Sequence, residues 1–232
     1  MSDFKKYAII VSGGVGSRMK NSVPKQFLEV NKLPILMHSI RAFNHNNIHI
    51  VLVQNDAYKE MWASLCIKHQ FDVPYSTVSG GETRFHSVKN GLSHIFKKED
   101  QLDQILIAIH DGVRPLVSQN LINRSFEEVL RKKAVVPAVA SRDSIRMVNE
   151  NKQSISLRRD RVHLVQTPQT FNGELLREAY QAPYSSEFTD DASVIEKSGY
   201  PIHLIDGDIR NIKITYPIDI AIAELWMAES MI

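Results

Sequence analysis

The residues best equipped for chemistry in this sequence are glycines followed by cations. Ser12-Gly13-Gly14-Val15-Gly16-Ser17-Arg18-Met19 continues directly from the apolar run Tyr7 to Val11, and Pro24-Lys25-Gln26 follows shortly after. Glycines just past a buried strand let the backbone approach a ligand and aim successive N–H groups at an anion. Arg18 and Lys25 add fixed positive charge, so Ser12, Gly13, Gly14, Gly16, Arg18 and Lys25 suit a triphosphate. The pattern is neither G-x-G-x-x-G nor a Walker A loop, and Gln54-Asn55 stand where a dinucleotide fold would carry its ribose-binding acid. The alternative is a plain glycine turn with two solvated cations.

Gly80-Gly81-Glu82-Thr83-Arg84, with Ser87 three residues on, is a second glycine turn. Its backbone could lie against the edge of a pyrimidine, with Arg84 and Ser87 one helical turn apart on the same pocket; a turn and helix cap is the competing account. A third motif, His110-Asp111-Gly112-Val113-Arg114-Pro115, ends a fully apolar strand. A carboxylate there needs a cationic or metal partner. Asp111 could hold Mg²⁺ together with substrate phosphates, leaving Arg114 for an acceptor phosphate, or the two could form an internal ion pair. His110 reads as structural.

Thr189-Asp190-Asp191-Ala192-Ser193 looks like a helix N-cap with acids in the first turn; a metal-binding pair is the alternative. Asn211-Ile212-Lys213-Ile214-Thr215 alternates, so Lys213 points away from Ile212 and Ile214.

Positioning these residues requires strands whose carboxyl ends converge. Short β-branched runs at 7–11, 48–53, 73–78, 105–109 and 134–139 alternate with helical spacings at 35–43, 58–69, 84–95 and 121–132. Such alternation predicts an α/β fold: a Rossmann-like, mostly parallel sheet flanked by helices. Ligands then bind at the carboxyl ends of the strands, where the three glycine-bearing motifs fall. Between 141 and 166 the pattern changes to two strands, 144–148 and 162–165, joined by a polar connection, which predicts a β-arm projecting from the sheet. Helices at 174–180, 192–197 and 219–231 and a strand at 202–205 complete a single domain spanning 1–232.

Bulk properties set limits. With 28 Lys and Arg against 26 Asp and Glu, net charge is +2, so any anion site is local and no basic patch supports nucleic-acid binding. A single cysteine, Cys66, excludes an intrachain disulfide and a multi-cysteine metal cluster. No apolar run reaches the ~20 residues that cross a bilayer. A cytoplasmic protein is expected.

Taken in order, S-G-G-V-G-S-R-M, P-K-Q-F-L, G-G-E-T-R-F-H-S-V, H-D-G-V-R-P, D-S-I-R, Q-T-P-Q-T-F, T-D-D-A-S and N-I-K-I-T-Y-P-I-D closely resemble the 2-C-methyl-D-erythritol 4-phosphate cytidylyltransferase family of the non-mevalonate isoprenoid pathway, from about Tyr7 to Leu225. The resemblance implies transfer of CMP from CTP to that polyol phosphate, with Mg²⁺ or another divalent cation. Arg18, Lys25, Lys213 and Arg159 would be catalytic, with Arg159 reaching across a homodimer built through the arm. Backbone at Gly13, Gly80, Gly81 and Glu82, with Ser87, would read cytosine. Asp111 would lie near the metal and the CTP sugar-phosphate, and Arg114, Ser144 and Thr189 would join Lys213 in holding the acceptor.

Ser12-Gly13 stands where the family pattern has an alanine pair, Gly112-Val113 where it has Ala-Ala, and Ser144 where it has threonine. Gly13 and Val113 resemble a sister family that uses ribitol 5-phosphate, whereas Leu116 does not. A ribitol 5-phosphate cytidylyltransferase and a non-catalytic nucleotide-binding protein are the alternatives. The implied reaction is in-line attack by the acceptor's phosphate oxygen on the α-phosphorus of CTP, with cations offsetting the repulsion between two anions.

Overall fold

The computed structural model describes residues 4–14 and 23–229. Gly16 and Arg18 lie outside the described residues. An eight-stranded sheet runs β10-β7-β11-β6-β1-β4-β5, with β12 also on β7. These strands are β1 (Lys5–Ser12), β4 (Ile48–Gln54), β5 (Ser76–Ser79), β6 (Ile105–Asp111), β7 (Ala134–Ala140), β10 (His163–Val165), β11 (Gln169–Asn172) and β12 (His203–Asp206). Two short strands, β2 (Glu29–Val30) and β3 (Leu33–Pro34), form a separate ribbon. β1 is parallel to both β4 and β6, β4 to β5, and β7 to β12, while β10 and β11 run antiparallel to their neighbours. The expected mostly parallel sheet is present.

Helices cover both faces: α1 (Ile35–Phe43), α2 (Lys59–Lys68), α3 (Arg84–Phe96), α4 (Gln119–Lys132), α5 (Gly173–Ala179), α6 (Asp191–Lys197) and α7 (Ile218–Glu229). Alternate residues of β1 feed the two cores: Ile9 packs with Val88, Leu92 and Phe171, and Ile10 with Leu36, Ile40 and Leu52. Each such side chain contributes about 1.5–3 kcal/mol by leaving water. A third cluster of Val30, Ile35, Val113, Ile214 and Ala223 pins the Lys213 segment between the end of β6 and α7.

Three expectations are corrected. The second arm strand is not 162–165: β8 (Ile145–Val148) pairs with β9 (Ser154–Leu157), a stretch expected to lie partly in a polar connection, and His163–Val165 returns to the edge of β7. Ser154 and Ser156 alternate with Ile155 and Leu157, which hides a short strand in a polar count. β11 was not expected, because Gln169, Thr170 and Asn172 look like loop residues; Gln169 and Thr170 are nevertheless buried between β6 and β7. Residues 211–215 form no strand, although Ile214 is buried and Lys213 points elsewhere, as the alternation requires.

Candidate active site

The loop after β1, the loop between β5 and α3, and the end of β6 meet at the carboxyl edge of the sheet around a cavity of about 310 Å³. Ser12, Gly13, Gly14, Lys25, Gly81, Glu82, Arg84, Ser87, Asp111 and Lys213 all line it. Gly80 sits one residue behind, its N–H donating to the Gln54 carbonyl at 2.7 Å. Arg114 and Lys213 line an adjoining cavity of about 470 Å³ with Arg142, Asp143, Asn211 and Tyr216. Lys213 therefore stands on the wall of both. Ser144, Arg159 and Thr189 are exposed and line neither cavity within one chain. Arg159 donates to the Arg142 carbonyl at 3.3 Å, while the neighbouring Arg158 is paired with Asp160.

Close packing and hydrogen bonds define the turns at Gly81 and Gly112. Gly81 lies so near the first turn of α3 that an added Cβ would fall 2.4 Å from the His86 Cβ. Its N–H donates to Ser87 Oγ at 3.0 Å, and that hydroxyl donates to the Thr83 carbonyl at 3.0 Å. Ser87 thus fixes the glycine turn. At Gly112 a Cβ would meet Leu36 Cδ1 at 2.8 Å and the Val11 carbonyl at 3.1 Å, so tight packing accounts for glycine where alanine was expected. Nothing in the structure requires glycine at position 13.

Asp111 is the electrostatic centre. Lys213 Nζ lies 2.9 Å and Arg114 Nε 3.6 Å from its Oδ2, and Arg84 Nε lies 3.4 Å from its Oδ1. Burial alone would raise this carboxyl, but Arg84, Lys213 and Arg114 outweigh it and hold the group well below the usual carboxylate range. The Asp111–Arg114 contact is therefore one member of a larger cluster. Burial lowers Arg114 as well. Lys25 Nζ donates to the Ile214 carbonyl at 3.1 Å, tying two cation-bearing segments together.

His110 is structural, as its position suggested. It is fully buried, with one ring nitrogen 3.2 Å from the Arg114 carbonyl and the other 3.0 Å from Thr167 Oγ1, which accepts from the Asp111 N–H at 3.1 Å. Burial pushes its pKa down to about 4, so the ring is neutral and braces both ends of the Asp111–Arg114 turn.

Sequence reasoning missed several supports. Gln26 is buried and donates from Nε2 to the Ser12 carbonyl at 3.1 Å. Asn211 donates to the Thr167 carbonyl at 2.8 Å and accepts from Arg114 through its own carbonyl at 2.8 Å. A buried amide leaves no periodic signal, so only the placement of Gln26 between Lys25 and apolar Phe27 hinted at it.

Among the described residues no group of three or more His, Cys, Asp or Glu could cage a metal ion. Every carboxylate oxygen of Asp190 and Asp191 already accepts a hydrogen bond, from Ser193, Gln169, Tyr180 and Arg84, so the metal-pair alternative fails there. Among the described residues Asp111 Oδ1 meets only the long 3.4 Å Arg84 contact, and Asp111 lines the cavity of about 310 Å³. That donor set fits a Mg²⁺ held by one carboxylate and substrate phosphates.

The chain's relatives agree on one family. The family model of 2-C-methyl-D-erythritol 4-phosphate cytidylyltransferase (IspD) matches residues 7–229. Proteins of that description from Azobacteroides pseudotrichonymphae and Bacteroides fragilis are 46% and 43% identical, covering 95% and 93% of this chain and 97% and 96% of their own. The crystal structure of 4-diphosphocytidyl-2C-methyl-D-erythritol synthase from Anaerococcus prevotii superimposes with a TM-score of 0.80 at 27% identity, covering 97% of each chain.

Proposed function

The chain belongs to the 2-C-methyl-D-erythritol 4-phosphate cytidylyltransferase family, and from that premise we propose how its residues carry the reaction. The activity is transfer of CMP from CTP to 2-C-methyl-D-erythritol 4-phosphate, giving 4-diphosphocytidyl-2-C-methyl-D-erythritol and pyrophosphate in isoprenoid precursor synthesis. The observation that carries the residue-level reading is Lys213 on the shared wall of two adjoining cavities.

In this reading CTP occupies the cavity lined by Ser12, Gly13, Gly14 and the Gly80–Ser87 turn, whose backbone groups meet the cytosine edge. The acceptor occupies the neighbouring cavity with its phosphate toward Arg114 and Lys213. A phosphate oxygen of the acceptor attacks the α-phosphorus in line, the bond to the bridging oxygen breaks, and pyrophosphate leaves. No general base is needed, because the nucleophile is already an anion. Lys25 and Lys213, with Arg18, offset the charge that builds where the two anions meet. Asp111 holds Lys213 and Arg114 in place and would supply a carboxylate ligand to a divalent cation, whose contribution is further neutralisation of phosphate charge.

The arm supports assembly with a second copy. Ile145 opposes Leu157 and Met147 opposes Ile155, so one face of the hairpin is apolar, and Met147 and Ile155 are 54% and 57% exposed. In a homodimer formed there, Arg159, Ser144 and Thr189 would complete a site shared between subunits. Free Cys66 and the lack, among the described residues, of a helix long and apolar enough to cross a membrane are compatible with work in the cytoplasm.

Pyrophosphate release measured across the four nucleoside triphosphates, with 2-C-methyl-D-erythritol 4-phosphate and ribitol 5-phosphate side by side, tests the reading. Turnover is expected with CTP and the methylerythritol phosphate; faster turnover with ribitol 5-phosphate would overturn the acceptor assignment.

A further inference from the structure

Arg84 lies on the wall of the nucleotide cavity, yet its shortest polar contact points away from it. Its Nη2 donates to Asp191 Oδ2 at 2.6 Å, while its Nε faces Asp111 Oδ1 at 3.4 Å. Asp191 is fully buried and does not line the cavity, and its other oxygen accepts the buried Tyr180 hydroxyl at 2.6 Å. The backbone that carries Asp191 is itself clamped to the sheet. Gln169 on β11 donates from Nε2 to Asp190 at 2.8 Å and accepts from the Ala192 N–H at 2.9 Å. Gln169 is the register partner of Ile109, two residues before Asp111 on β6.

The result is a continuous chain of fixed contacts from β11 through α6 to Arg84, then Asp111 and Lys213. A buried carboxylate persists only where a cation meets it in good geometry. A planar guanidinium can engage two carboxylates at once in a way that a lysine ammonium cannot. Arg84 is therefore held by Asp191 with one edge presented to Asp111, so that Asp111 Oδ2 is left to Lys213 and Arg114.

We propose that Asp191 is a positioning residue of the transfer reaction: acting through Arg84, it sets the Asp111 carboxylate, and with it Lys213, at the seam between the nucleotide and acceptor cavities. This rests on the functional reading above. The test compares kcat and the KM for CTP in Asp191→Asn, Arg84→Met, Arg84→Lys and the double variant Asp191→Asn/Arg84→Met, alongside melting temperatures. Asp191→Asn lowers kcat about 10- to 100-fold while the KM for CTP stays within about threefold, because Asp191 touches neither reactant. In the Arg84→Met background the second change costs less than about threefold more, since its effect runs through Arg84. Should Asp191→Asn fail to fold, Arg84→Lys decides: it keeps the charge, loses the fork, and lowers kcat at least about tenfold.

An Asp191→Asn enzyme that stays folded and turns over at more than half the wild-type rate overturns the proposal. So does a further tenfold loss in the double variant, or an Arg84→Lys enzyme within twofold of wild type. A wild-type enzyme that releases no pyrophosphate from CTP with either polyol phosphate overturns the functional reading, and this proposal with it. An active wild type with unaffected variants overturns this proposal alone.

Discussion

Lys213 touches Asp111 at 2.9 Å and faces both cavities, and Lys25 holds the backbone of the next residue, Ile214. Removing either charge leaves the repulsion between two anions uncompensated at the point of transfer. Loss of one such contact costs about 3–4 kcal/mol, or roughly 10²–10³ in rate. Lys25→Ala and Lys213→Ala are each expected to lower kcat by that factor while circular dichroism stays native, and near-normal turnover in either would remove it from the catalytic set. At this scale the sequence was informative where glycine and charge adjoin. It was silent on Asp191, whose first-turn position looked like ordinary helix capping. Burial beneath Arg84, which no spacing encodes, gives it a different part.

The elements carry the loops, and the Gly81 turn shows how tightly. An alanine there places its Cβ 2.4 Å from the His86 Cβ and 2.8 Å from the His86 carbonyl carbon, so α3 or the turn must move. Overpacking of this kind costs about 1–3 kcal/mol. Gly81→Ala should lower the urea midpoint accordingly and weaken CTP binding measured by calorimetry; an unchanged midpoint would show that the turn yields freely. The arm makes a separate prediction. Met147→Asp puts a charge in the centre of its apolar face; on the proposed arm-mediated dimer, sedimentation velocity should report a dimer for the unmodified chain and a monomer for the variant. A dimer persisting in the variant would place the interface elsewhere. The first arm strand was legible from its alternation. The second was misplaced because Ser154-Ile155-Ser156-Leu157 is short and half polar, and only pairing with Ile145–Val148 makes it a strand.

For the molecule as a whole, imidazoles partly or fully removed from water couple stability to pH. Burial holds His38 below its ordinary value of 6.5, outweighing the bond between its ring and the Val30 carbonyl, which favours the charged form; nearby Arg41 lowers it further. The unfolded chain then binds a proton that the folded chain refuses. Stability therefore rises with pH through the window below 6.5 and is lost on acidification, by at most about 1.4 kcal/mol per pH unit for this group. Chemical denaturation between pH 7 and 5 should show a slope to which His110 also contributes, and His38→Gln should make it shallower without abolishing it; an equal slope in the variant would assign the effect to His110 and the other lowered imidazoles.

Read alone, the chain determined the α/β alternation, the mostly parallel sheet and the three glycine-bearing strand ends, because hydrophobic period and glycine placement are local properties. It also carried the motif order by which the family is recognisable. Tertiary structure decided what lies between those motifs: Gln169 and Thr170 as a buried antiparallel strand, Asp111 meeting Arg84 and Lys213 from two distant segments beside its neighbour Arg114, and Arg84 fastened to Asp191. A buried polar residue is stable only through partners that folding brings to it, so its role is written in distances that a linear pattern does not contain.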